Sequence, residues 1–173
     1  MPPDMPAPKG KPVTTTVFED ANPLHDVIAG RSCAGLIHML DKTPTEWHAK
    51  KMNTVETSAH GSEFVAARTG IDQTIDLRCT LRMLGVLLKG PSWMFGDNQA
   101  AVNGSSVPSG QLKKRENVLN CHRVREAAAA GCVNFVHMPG KENPADMCIK
   151  PRSSREWCQL MKPLTFWRHR DEV

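Results

Sequence analysis

Four carboxylates stand where the apolar runs of this chain give out. Val13-Thr14-Thr15-Thr16-Val17-Phe18 runs into Glu19-Asp20, Trp93-Met94-Phe95-Gly96 runs into Asp97, and Asn143-Pro144-Ala145 opens a helix start at Asp146. Glu63 lies in the first turns of a long helical stretch, on or beside the face that must pack on a sheet. An acid there is uncommon, because the buried stripe of a helix prefers apolar side chains. Each acid also has a plain alternative. Asp20 suits a turn, Asp97 caps the helix behind it, Glu63 answers the helix dipole and Asp146 serves local capping. If the four converge, their mutual repulsion calls for cations. A set of hard oxygen ligands then selects magnesium or manganese over zinc.

Elements of both kinds are needed to hold these positions. The β-branched run from Val13 to Phe18 predicts a strand. Arg31 to Leu40 predicts a second, Asp41-Lys42-Thr43-Pro44 a turn and Thr45 to Ala49 a third, alternating strand, so the last two form a hairpin. From about Ser58 to Leu84, Glu63, Ala66, Ala67, Ile71 and Ile75 recur at helical spacing. Gly90-Pro91-Ser92 breaks the chain before the strand that presents Asp97, with a short helix behind it. After the loop Asn103 to Gly110 comes a helix that opens on Lys113-Lys114-Arg115 and is stopped by Gly131. Cys132 to His137 is a further strand. The order is βββαβαβα, and open sheets of this kind place ligands at the carboxyl ends of their strands.

The chain has 173 residues, which sets one domain as the default, and 40% are hydrophobic, ordinary for a globular protein. There is no apolar run of membrane-spanning length and no signal-peptide core, so an intracellular setting, cytoplasmic or nuclear, is expected with no membrane partner. A net charge of +4 and a pI of about 8.8 suit a polyanionic partner without demanding one. Lys50-Lys51 at a strand end and Lys114, Arg115, Arg123 and Arg125 on the basic helix are candidate phosphate contacts or solvated charges. The six cysteines contain no C-x-x-C pair, and Cys132, His137 and Cys148 match no zinc spacing, so they read as reduced thiols. Residues 1–12 hold five prolines and read as a linker or tail, 13–151 as the domain, and 152–173 as a C-terminal tail with Trp157, Leu160, Leu164, Phe166 and Trp167.

Six stretches carry a resemblance to a known family: Val17-Phe18-Glu19-Asp20-Ala21-Asn22, Gly30-Arg31-Ser32, Trp47-His48-Ala49-Lys50-Lys51, Gly61-Ser62-Glu63-Phe64-Val65-Ala66, Phe95-Gly96-Asp97-Asn98-Gln99 and Pro139-Gly140-Lys141-Glu142-Asn143-Pro144-Ala145-Asp146. Through them the chain resembles the ribonuclease H domain at the end of the copia-type retrotransposon Pol polyprotein, over nearly all of residues 13–167. The resemblance implies a ribonuclease H-like α/β fold with a five-stranded mixed sheet flanked by helices. It implies hydrolysis of the RNA strand of an RNA–DNA hybrid by two Mg²⁺ or Mn²⁺ ions, with Asp20, Glu63, Asp97 and Asp146 as metal-binding, catalytic acids. Substrate contacts are then expected from Asn98, Gln99, Lys50, Lys51, Lys114 and Arg115, and a reverse transcriptase domain of the same element is a potential partner.

Some features depart from the family's pattern. Glu116 stands where members usually have a histidine, and Ile149-Lys150 replaces a Ser/Thr-Lys pair. His137 precedes the last acid in a region where other ribonucleases H keep a mobile histidine, and is a possible auxiliary residue. The polymerase domain that precedes such a domain is missing ahead of Met1, which suggests a fragment of a degraded element. The alternative reading is therefore an inactive remnant that only binds nucleic acid. A transposase or integrase of the same superfamily would keep its glutamate as the last acid, whereas Glu63 comes second.

Overall fold

A computed structural model gives the protein's architecture, describing residues 7, 9–26, 28–56, 58–106, 115–162 and 164–165, with the side chains of 24, 105, 106 and 115–117 outside that description. The strands are β1 (Lys9–Val13), β2 (Thr15–Asp26), β3 (Arg31–Leu40), β4 (Thr43–Lys51), β5 (Val86–Leu88), β6 (Ser92–Gly96) and β7 (Val133–His137). The helices are α1 (Ala59–Met83), α2 (Gln99–Ser106), α3 (Arg115–Ala129) and α4 (Ser154–Met161), with a 3-10 turn over Pro144–Cys148.

Five strands form one mixed sheet in the order β4-β3-β2-β6-β7, the expected five-stranded sheet flanked by helices. β2 is its middle strand. It pairs antiparallel with β3, from Thr15 opposite Leu40 to Asp20 opposite Gly35. On its other side it runs parallel to β6, with Phe18 beside Phe95. β6 in turn runs parallel to β7. Parallel strands need long crossovers, and α1 and α3 supply them.

Alternation along β2 decides which helix each side chain meets. Val17 joins Leu36, Phe64, Ile71, Met94, Cys121 and Val124 in a core under α1 and α3. Burial of side chains this large stabilises by roughly 1.5–3 kcal/mol each. Phe18 faces the other way, stacked on Phe95 at 5.4 Å and packed with Ile37, Met39, Met147 and Met161. α1 begins at an N-cap, Ser58, whose side chain accepts from the Gly61 amide. It packs close on the sheet at Gly70, where an added Cβ would lie 3.0 Å from Met94 Cε.

One boundary needs correcting. Residues 1–12 were expected to be a linker, yet Lys9–Val13 is a strand, paired parallel with β5 in a separate two-stranded sheet. The Lys9 amide donates to the Gly85 carbonyl and the Lys89 amide to Val13, each at 2.8 Å. Gly10 (φ 85°) and Pro12 hide this strand from a pattern search. Its partner is three residues long and more than seventy positions away. The C-terminal tail forms α4, closed at its start by a capping box between Ser153 and Glu156. Phe166, Trp167 and Lys114 lie outside the described residues.

Candidate metal centre

Asp20 lies on β2 just past the last residue that pairs with β6, Phe18. Asp97 follows the last residue of β6, and Glu63 sits one turn into α1 on its buried face. The three therefore meet at the carboxyl edge of two adjacent parallel strands, under the helix that covers them. One carboxylate oxygen from each lies within 4.8 Å of the other two. Asp20 and Glu63 are buried at 1% and 5% exposure, while Asp97 is half-buried. Gly140 allows the loop after β7 to close against Asp97, since a Cβ there would lie 2.8 Å from Asp97 Oδ2.

Asp146 is buried beside this trio but is held by cations. Lys150 Nζ lies 2.8 Å from Asp20 Oδ2 and 2.6 Å from Asp146 Oδ1, so one ammonium bridges the two acids. Arg152 donates through Nε to Asp146 Oδ2 at 2.6 Å and pairs with it again through its terminal nitrogen. The 3-10 turn that carries Asp146 is tied down from below. Asn143 caps it by accepting from the Ala145 amide and donates to the Glu19 carbonyl at 2.7 Å. Gly35 lets β3 come close enough to touch it, since a Cβ there would meet the Ala145 carbonyl oxygen at 2.7 Å.

Burial and mutual repulsion dominate the electrostatics. Burial raises the Glu63 carboxyl to about 9, with Asp20 and Asp97 adding to the shift. Burial also raises Asp20 to about 7, against the pull of Lys150 and with the help of a hydrogen bond to Asp146. Burial presses Asp146 upward too, but hydrogen bonds from Lys150, Asp20 and Arg152 outweigh it and leave its carboxyl below the usual range. Of this pair, Asp20 is the acid whose carboxyl is raised and Asp146 the one whose carboxyl is lowered. Raised carboxyls in one pocket mark a place where positive charge is wanted.

The other expected contacts fall out differently. Asn98 Oδ1 accepts from the Ala100 and Ala101 amides at 3.0 and 3.1 Å, capping α2, and Gln99 Nε2 donates to Asn103 at 2.8 Å. Both amides are thus engaged within α2. Lys51 pairs with Asp26 at 2.5 Å, whereas Lys50 lines a cavity of about 570 Å³ with His48, Arg68 and Asn120. Arg115 opens α3, but its side chain lies outside the described set, as does that of Glu116. His137 ends β7 with Nε2 3.1 Å from the Asp97 carbonyl, tying the two strand ends together.

Three residues of this site were not expected in it from sequence. Glu19 is fully buried, neither of its carboxylate oxygens has a partner, and it lies on the α1 side of β2 with Val17 and Ala21. A Cβ at Gly96 would overlap its carboxylate. Burial, then Glu63, Asp20 and Asp97, push its carboxyl well above the ordinary value. The alternation Val17, Glu19, Ala21 was the available signal, because it puts an acid on an apolar face. Lys150 and Arg152 were the others. The spacing from Asp146 to Lys150 is that of a helical ion pair.

The trio fits a hard divalent cation. All its donors are carboxylate oxygens, and Glu63 Oε2 is buried without a hydrogen-bond partner. An orphaned buried oxygen of this kind is costly unless something positive satisfies it. Asp146 fits less directly, because both of its oxygens are already taken.

No protein-family model matches the chain. It is similar to the Retrovirus-related Pol polyprotein from transposon RE2 of Arabidopsis thaliana, 25% identical over 145 residues, which covers 84% of this chain and 10% of that protein. The Retrovirus-related Pol polyprotein from transposon TNT 1-94 of Nicotiana tabacum is also 25% identical, over 144 residues and 82% of the chain. The chain thus spans about a tenth of the length of the curated relatives it matches. Among solved structures it is similar to the N-terminal RNase H domain of rv2228c from Mycobacterium tuberculosis, with a TM-score of 0.60 at 12% identity, covering 88% of this chain and 99% of that one. LC11-RNase H1 in complex with RNA/DNA hybrid gives 0.56 at 14% identity, covering 75% and 88%. The foamy viral protease-reverse transcriptase in complex with RNA/DNA hybrid gives 0.55 at 11% identity, covering 78% of this chain and 19% of that one. The fold is that of ribonuclease H, and the expected likeness to retrotransposon Pol polyproteins is met by these relatives.

Proposed function

We propose that this chain is the ribonuclease H domain of a copia-type Pol polyprotein and that it hydrolyses the RNA strand of RNA–DNA hybrids. One observation carries the reading. Three carboxylates from distant parts of the chain share a pocket at the carboxyl edge of the parallel strands, with a buried oxygen left unsatisfied. A fold alone does not assign an activity, but this site has a chemistry of its own.

Asp20, Glu63 and Asp97 would hold Mg²⁺ or Mn²⁺, and Asp146 joins them when two ions are bound. Such ions supply charge that activates water and stabilises the leaving 3′ oxygen of a phosphodiester. The residues do the rest. Asp20, on the middle strand, is placed between Glu63 on one side and Asp146 on the other. His137 Nε2 meets the Asp97 carbonyl and so ties the end of β7 to the residue that presents this acid. Lys50, which lines a cavity with His48 and Arg68, would meet a backbone phosphate. Hybrid recognition would rest on helix shape and 2′-hydroxyls rather than on sequence. A reverse transcriptase domain is the natural neighbour, as in the foamy viral protein.

The test is incubation with a strand-labelled hybrid and Mg²⁺ at low salt. The RNA strand alone is cut, and Asp97→Asn removes the cutting. An intact hybrid with the unaltered protein overturns the activity. The pairing of Asp146 with Lys150 and Arg152 favours a second reading, an inactive remnant that binds hybrid without cutting it. That reading expects salt-sensitive binding and an uncut RNA strand.

A further inference from the structure

We infer that Lys150 is a built-in plug for the second ion site, so that the substrate-free protein takes up one divalent ion and not two. This rests on the metal-binding part of the function proposed above and specifies how that site is regulated. Lys150 Nζ sits between a carboxylate of β2 and a carboxylate of the 3-10 turn, 2.8 Å from one and 2.6 Å from the other. That is the position of a cation shared by two acids from different elements. The remaining Asp146 oxygen is taken by Arg152 at 2.6 Å. An ion arriving between Asp20 and Asp146 would therefore have to displace two charge-assisted hydrogen bonds of the lysine and compete with a guanidinium. Magnesium sheds its water shell reluctantly, which weakens its side of that exchange.

The lysine is also held in place. Its amide donates to the Asp146 carbonyl at 3.0 Å. The preceding residue, Ile149, is buried at 4% exposure, and its carbonyl accepts from Asn22 at 3.1 Å. Its side chain keeps 32% exposure, so it has a way out towards solvent. The trio of Asp20, Glu63 and Asp97 contains the buried oxygen without a partner, Glu63 Oε2, and is where the single ion goes. A substrate phosphate supplies an alternative partner for the ammonium group, and its arrival opens the second position.

The experiment is calorimetric titration of the metal-free protein with MnCl₂ in the absence of nucleic acid. One ion per chain is expected for the unaltered protein and two for Lys150→Met. Asp146→Asn should keep the single ion with an affinity within about twofold, whereas Asp97→Asn should lose it. Two ions bound by the unaltered protein overturn the plug while leaving the proposed metal site standing. Loss of the ion in Asp146→Asn, or one ion in a folded Lys150→Met, also overturns it. No ion bound by any form defeats the metal-binding reading, and the plug with it. The count for the unaltered protein and the Asp146→Asn result stand even if Lys150→Met fails to fold.

Discussion

The buried acids set how this protein's stability responds to pH. Glu63, at about 9, and Asp20, at about 7, bind their protons more tightly folded than unfolded, where carboxyls titrate near 4. A group raised by folding adds stability that is complete below its unfolded pKa and is lost as pH climbs to the folded one. The metal-free protein is therefore expected to lose stability from about pH 4 to pH 7 through Asp20, and on towards pH 9 through Glu63. The slope is at most about 1.4 kcal/mol per pH unit for each proton. Urea unfolding at pH 5 and pH 8 with a chelator present measures it, and saturating Mn²⁺ should abolish most of the difference. Glu19→Gln should flatten the slope further, because the amide cannot ionise in the space beside Gly96. The acids at strand ends were legible from sequence because they follow apolar runs directly. Glu19 was not, because alternation puts it on the apolar face of β2 but only the fold brings Glu63 to that face. Lys150 was seen only as part of a family pattern, since its contact with Asp20 spans 130 positions.

Among the elements, the 3-10 turn over Pro144–Cys148 is the piece on which the site's geometry hangs. It rests on β3 where Gly35 offers no side chain, and a Cβ there would also lie 3.0 Å from Ile149 Cγ2 and 3.1 Å from Cys148 Cβ. Gly35→Ala should therefore push the turn outward, carrying Asp146 and Lys150 with it. Overpacking of this kind costs about 1–3 kcal/mol, which a lowered thermal midpoint would show. An unchanged midpoint would mean that the turn yields freely. The long elements were legible because their periodicity is strong: α1 runs from Ala59 to Met83, within the stretch from about Ser58 to Leu84 that reads as helical. The pairing of β1 with β5 was not, because strands of five and three residues carry little period and their meeting is decided by what surrounds them.

For the whole molecule, the modest excess of positive charge matters through where it lies. Hybrid binding should weaken as salt rises, since released counterions drive it. Lys50→Ala should lower the slope of log affinity against log salt by about one. Lys51→Ala should lower it less, because Asp26 already holds that ammonium. Fluorescence anisotropy of a labelled hybrid across a salt series separates the two, and equal effects would count against a special place for Lys50.

The small sheet of β1 and β5 has a consequence for how such a domain is mounted. One residue separates β1 from β2 and three separate β5 from β6, while Asp20 lies within β2 and Asp97 just past the end of β6. From Thr15 to Asp20 the chain climbs about 17 Å at roughly 3.3 Å per residue. A load applied at Lys9 would therefore be taken up by the β1–β5 pairing before it reached β2 and Asp20.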